Sequence, residues 1–203
     1  MNILKRAIVA ALVLGVMAVA TGDSASAKLC STAGTGNACL SGHGRVFTGG
    51  WAERLTPNKK VTLKTGAFTT ECNEAEAAGE YTNGETGAGK ITSQTFGSCN
   101  CPLTATASAG SPWTTTATVT TAPNGKVEVE GVKYETTCLG IKCIYGSAKV
   151  GTEKGVEFIG GEKAETKENF ELTKQTGSSA FCSTIGTFAG EWTIEQPTSS
   201  FLT

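Results

Sequence analysis

The sequence predicts an all-β protein, an antiparallel β-sandwich of Ig-like or jelly-roll-like type stapled by disulfides. Three observations carry this. Stretches such as Val61–Lys64, Lys126–Glu130 and Glu191–Glu195 alternate apolar and polar residues, the period-2 pattern of strands with one wet face. Turn signals fall between them, at Thr65-Gly66, Asn83-Gly84, Asn124-Gly125 and Gly160-Gly161. Threonine and glycine are abundant and long helix-forming runs are missing, a composition that suits pleated, half-buried surfaces. Short strands and turns at this spacing argue for a sandwich or barrel rather than a parallel sheet with helices.

The first element is an export signal. Lys5 and Arg6 precede an apolar run over Ala7–Ala20, and Ala25-Ser26-Ala27 forms a small-residue cleavage pattern ahead of Lys28. That run is too short to span a bilayer comfortably, which takes roughly 20 residues. Residues 1–27 are therefore expected to be removed, leaving 28–203 as one secreted domain. Its glycine-rich start, 28–58, is expected to be peripheral. No later run is long enough for a membrane helix, so no anchor is expected after cleavage. The location expected is extracellular or cell-surface associated.

Within the domain, Asn124-Gly125 follows the Thr-rich run 114–121 and reads as a hairpin turn into the strand 126–130. Segments 61–72 and 127–138 match at five equal offsets, ending on Cys72 and Cys138, as if one hairpin type were used twice. Only Glu71–Glu80 has the composition for a helical turn, and it is too short to shape the architecture.

Eight cysteines follow the leader, and outside the cytosol disulfide formation is their default fate. Cys30 and Cys39 enclose a glycine-rich loop, and Cys138 and Cys143 flank a short turn, so both are expected to pair locally. Cys99 and Cys101, on one face of a strand, would strain if bridged to each other. Cys72 and Cys182 would then each take one of them, which leaves two connectivities.

Composition closes several function classes. Without the leader the chain keeps 15 basic and 17 acidic residues, too near neutrality to bind nucleic acid through counterion release. Asp23 is the sole aspartate and leaves with the leader. An EF-hand loop, an aspartic dyad and a Ser-His-Asp triad are thereby closed. His43 is the only histidine. A zinc site of Cys39, His43, Cys99 and Cys101, or a Cys-His nucleophile, would require breaking the even cysteine count. No metal, cofactor or catalytic residue is expected, and no phosphate loop, dinucleotide fingerprint or nucleophile elbow is present. Clustered Glu71, Glu74, Glu76 and Glu80, or Glu128 and Glu130, would serve a glycosidase if a pair faced one cleft. Glutamates at strand period are ordinarily the solvated face of a sheet.

Trp51, Trp113 and Trp192 are expected to plug the core. Trp51, near His43 and Arg45 in a flexible segment, is the one placed to stack on a sugar ring, and these three residues are the candidate ligand site. His43 otherwise reads as a solvated loop residue.

Gly89–Cys99, Cys101, Ser111-Pro112-Trp113, the Cys138 to Cys143-Ile144-Tyr145-Gly146 hairpin and the closing Cys182…Trp192-Thr193-Ile194…Pro197 recur in an order that resembles an uncharacterised family of secreted, cysteine-containing, β-rich actinobacterial proteins. The resemblance spans roughly residues 60–200 and implies export and an all-β fold, with no assigned activity. The expectation is thus a non-catalytic extracellular structural, adhesion or binding module for an extracellular or cell-envelope ligand, its oligomeric state open. Alternatives are a glycan-binding or glutamate-based carbohydrate-active enzyme and an inhibitor-like secreted protein.

Overall fold

A computed structural model describes residues 27–39, 43–150 and 155–203, and every regular element among them is a strand. These are β1 (Leu29–Ser31), β2 (Arg45–Val46), β3 (Gly49–Leu55), β4 (Val61–Lys64), β5 (Thr69–Asn83), β6 (Ala88–Cys99) and β7 (Leu103–Ala105). The second half supplies β8 (Trp113–Thr121), β9 (Asn124–Cys138), β10 (Ile141–Val150), β11 (Val156–Ile159), β12 (Glu165–Lys174), β13 (Ile185–Gln196) and β14 (Phe201–Leu202).

The fold is all-β, antiparallel and sandwich-like, as expected. Its hydrogen-bonded ladder also closes on itself. Strands β3, β5, β6, β8, β9, β11, β12 and β13 pair in that order, and β13 pairs back onto β3. At one end of this ring shorter strands take over: β4 bridges β13 and β5, β10 bridges β9 and β12, and β7 lies on β9. The order is a sequential meander, without the Greek-key crossovers of an Ig-like or jelly-roll sandwich.

Alternation sets which side chains face in. In β13, Gly186, Phe188, Gly190, Trp192 and Ile194 are buried, while Glu191 and Glu195 face water. Inside, Phe188 stacks on Tyr134 at 4.3 Å and on Phe170 at 5.3 Å, joining side chains of β9, β12 and β13 into one core. All three tryptophans are buried there.

A second sheet, β14-β1-β2, covers the end that carries the β5–β6 and β8–β9 turns. Leu29 N donates to Gly84 O, and Leu202 N donates to Pro123 O. Leu29 and Leu202 pack with Ala117, Phe158 and Ile194 of the wall. The segment 28–58 is therefore not peripheral: it supplies this cap and the wall strand β3.

Ala27 is the only residue of the expected leader within the described residues, and it is fully buried in the same cluster. A chain starting at Lys28 is expected to be less stable than one starting at Ala27 by about 1 kcal/mol, the worth of one buried methyl. Chemical denaturation of the two forms measures this.

Three local readings are corrected. The Asn124-Gly125 turn falls two residues earlier, at Ala122-Pro123. Asn124 opens β9, where its Oδ1 accepts from Gly160 N, and Gly125 makes room for Leu202 of the cap. Segment 61–72 is a hairpin, but 127–138 is one continuous strand that bends at Gly131, whose φ is +80°. Glu71–Glu80 is part of β5, with Cys72, Ala75 and Ala77 buried.

All eight cysteines are bridged, as Cys30–Cys39, Cys72–Cys99, Cys101–Cys138 and Cys143–Cys182. The first is the expected local pair, and Cys72 takes one of its two expected partners. The expected Cys138–Cys143 bridge does not form. Cys138 lies opposite Ile141 and Cys143 opposite Thr136, so the two cysteines sit diagonally across the hairpin. Diagonal neighbours are about 7–8 Å apart, beyond the usual bridging span of about 4.4–6.8 Å. Leu103 pairs with Thr136, and that register carries Cys101 onto Cys138 instead. Cys182 consequently meets Cys143, where Ser179 N bonds Lys142 O.

Candidate functional site

Inward positions in a closed wall are apolar by default, and two glutamates break that rule. On β3 the inward residues are Trp51, Glu53 and Leu55; on β12 they are Thr166, Glu168, Phe170 and Leu172. Glu53 and Glu168 are each 8% exposed. They line a cavity of about 40 Å³ between the aromatic core and the cap, with Trp51, Tyr81 and Thr166 among its walls and Leu29 and Leu202 above.

Each carboxylate has one donor. Thr166 Oγ1 donates to Glu53 Oε2 at 2.8 Å, and Trp192 Nε1 donates to Glu168 Oε2 at 2.8 Å. Trp51 Nε1, equally buried, donates to nothing. Trp51 takes this position because its neighbour on β5 is Gly79, where a Cβ would lie 2.7 Å from the indole ring.

Burial disfavours the charged form of both acids. It pushes Glu53 up to about 7, the Thr166 hydrogen bond opposing the shift. It pushes Glu168 up to about 8, with the charge of Glu53 adding to it and the Trp192 hydrogen bond opposing it. Burial, and then the Glu53 charge, also raise the Tyr81 phenol. At mildly acidic pH the pair is neutral and able to donate as well as accept.

The expected ligand residues do not form one site. Trp51 faces the barrel interior, so it offers no exposed stacking face. Arg45 is exposed on β2 and donates to Gly36 O, and His43 lies against Phe201 at 4.6 Å between ring centres. A zinc site or Cys-His nucleophile is closed because Cys39, Cys99 and Cys101 are all in bridges. The glutamates that the sequence offered for a glycosidase face outward: Glu128 and Glu130 both pair with Lys149, Glu76 with Arg54 and Glu71 with Lys60.

A wider concavity, about 610 Å³, lies on the outer wall and includes Lys59, Lys126, Glu157, Lys167 and Glu191. Glu157 pairs in register with Lys126 and Lys167, Lys167 with Glu191, and Lys59 bonds Glu191 at 3.0 Å. Charges of opposite sign thus lie across from one another on neighbouring strands, the sheet form of charge pairing, with lysines in a small majority.

At the end opposite the cap, near the three other bridges, Leu139, Phe181 and Ile185 are the exposed large apolar residues. Leu139, 99% exposed, sits at the tip of the β9–β10 turn.

Set against known protein families, curated proteins and solved structures, the chain matches none. The site is therefore defined by its geometry alone.

Proposed function

We propose that the chain is an exported, non-catalytic module of the extracellular space or cell surface, with a structural, adhesion or binding role. The observation that carries this reading is the enclosure of Glu53 and Glu168, the one inward carboxyl pair among the described residues, in about 40 Å³. A glycosidase needs its two acids on either side of a sugar, and a ring of that size does not enter this space. Four disulfides, a type of staple usual outside the cytosol, and the leader-like Met1–Ala27 support export.

The inhibitor-like alternative draws on exposed Leu139 and Phe181, each beside a bridged cysteine. The carbohydrate-active alternative draws on the same two buried glutamates and requires the cavity to open.

Expression of residues 1–203 in a bacterial host tests the reading. Expected is a leader-free chain in the medium that releases no sugar from soluble cell-wall polysaccharides. A chain retained in the cytosol with its leader would overturn export. Sugar release abolished by Glu168→Gln would overturn the non-catalytic role.

A further inference from the structure

The Trp51 indole N–H is a strong donor held inside the barrel with no protein acceptor. An unsatisfied buried donor costs about 1–3 kcal/mol, so its position calls for an acceptor from elsewhere. The same cavity holds Glu53 and Glu168, each with Oε2 already engaged by Thr166 or Trp192 and Oε1 without such a bond. A guest that reaches all three must accept from Trp51 and also hydrogen-bond to carboxyl oxygens.

Chemistry narrows the guest. An ammonium or metal ion has no lone pair for the Trp51 N–H, and would meet two further donors in Thr166 and Trp192. An anion would face two carboxyls. A hydroxyl group satisfies every contact, since it accepts through oxygen and donates its proton. Size narrows it further. A single water takes at least about 10–15 Å³ of such space, while a cavity that admits benzene is about 150 Å³. At about 40 Å³ the space suits water or an alcohol of one or two carbons. Ile91, Val127, Val129 and Phe158 give the alkyl end an apolar wall.

We propose that the cavity between Trp51, Glu53 and Glu168 is a binding site for a small neutral hydroxylic molecule, water in the resting protein and a short alcohol when one is supplied. The guest bridges β3 and β12, whose only other polar link across this space is the Thr166–Glu53 hydrogen bond. Tyr81 is the remaining titratable group on the cavity wall, and burial keeps its phenol protonated. Ionisation of the acid pair at alkaline pH removes carboxyl donors and weakens the hold on the guest's oxygen. The site is independent of whether the chain is exported or catalytic.

Indole-¹⁵N labelling tests this on the intact protein, with Trp51→Phe assigning the resonance among the three tryptophans. Expected are magnetisation transfer from a long-lived water to the Trp51 Nε1–H and a saturable shift of that signal on titration with methanol, Trp113 staying fixed. Ala117→Val, which fills the cavity wall, should abolish the methanol response while the rest of the spectrum persists. A Trp51 signal with no water contact, and a methanol shift that is linear and equal for all three indoles, would overturn the site. Should Ala117→Val fail to fold, the wild-type titration alone decides.

Discussion

The unfolding midpoint is expected to be highest in mildly acidic solution, to fall as pH rises toward 7 and 8, and to level off above. Glu53 and Glu168 carry the effect. In the unfolded chain a glutamate loses its proton near about 4.3; in the barrel the pair holds on to about 7 and about 8. Below the unfolded value both states are protonated and the pair does not oppose folding. Above it the unfolded state ionises first, so each pH unit until the folded groups also ionise removes stability. At about 1.4 kcal/mol per pKa unit for each group, the loss amounts to several kcal/mol for the coupled pair. Surface pairs act in the opposite sense at the acid end. The Glu85 carboxyl is held low by hydrogen bonds from Lys28 and Asn37, and its small contribution disappears as it protonates. Glu168→Gln keeps an acceptor for Trp192 Nε1 and removes the ionisation. Thermal melts from about pH 5 to about pH 9 should therefore flatten in the variant, with the largest gain at the alkaline end. Parallel wild-type and variant profiles would show that Glu168 titrates normally.

Replacing the four cysteines of Cys101–Cys138 and Cys143–Cys182 with alanine is expected to prevent stable folding. These bridges close stretches of 37 and 39 residues. In the chain-entropy account each restrains the unfolded state by about 4 kcal/mol, and a single domain has only about 5–15 kcal/mol in all. Removing Cys30–Cys39, which spans 9 residues within the cap, should be milder, about 3 kcal/mol. Urea titrations of the variants give the ranking, and a peptide map under non-reducing conditions checks the pairing. A fragment joining Cys138 directly to Cys143 would contradict the strand register.

The fold class was legible because the signals behind it are local. Alternation in 61–64, 126–130 and 191–195 marks strands, and three of the four glycine-bearing turn signals fall between strands. What escaped depends on partners distant in sequence. Closure of the ring rests on β13 meeting β3 across more than a hundred residues, and no local pattern records that. The pairing of Cys138 escaped similarly: Cys138 and Cys143 look adjacent in sequence, but the two-residue turn Leu139-Gly140 sets a register that offsets them. The carboxyl pair had a faint signal. Glu53 lies between Trp51 and Leu55, and Glu168 between Thr166 and Phe170, each in the parity that belongs to inward residues. The clustered Glu71, Glu74, Glu76 and Glu80 face water because Thr70, Cys72, Ala75 and Ala77 take the inward positions of β5. Trp51, expected to stack on a ligand from an exposed position, faces the interior instead. The glycine at position 79 that lets it turn inward is distant in sequence and adjacent only in the sheet.

Ring closure has a consequence for life at high concentration. An open sheet ends in a row of unpaired amide and carbonyl groups, a template on which a neighbouring molecule can extend the ladder into a fibre. Here every strand of the ring has a neighbour on both sides for at least part of its length, and free margins are left to the short β7 and β14 and to the stretch of β6 beyond Ile91. The molecule offers little for another copy to grow upon, and that protection is built into its connectivity rather than into surface charge.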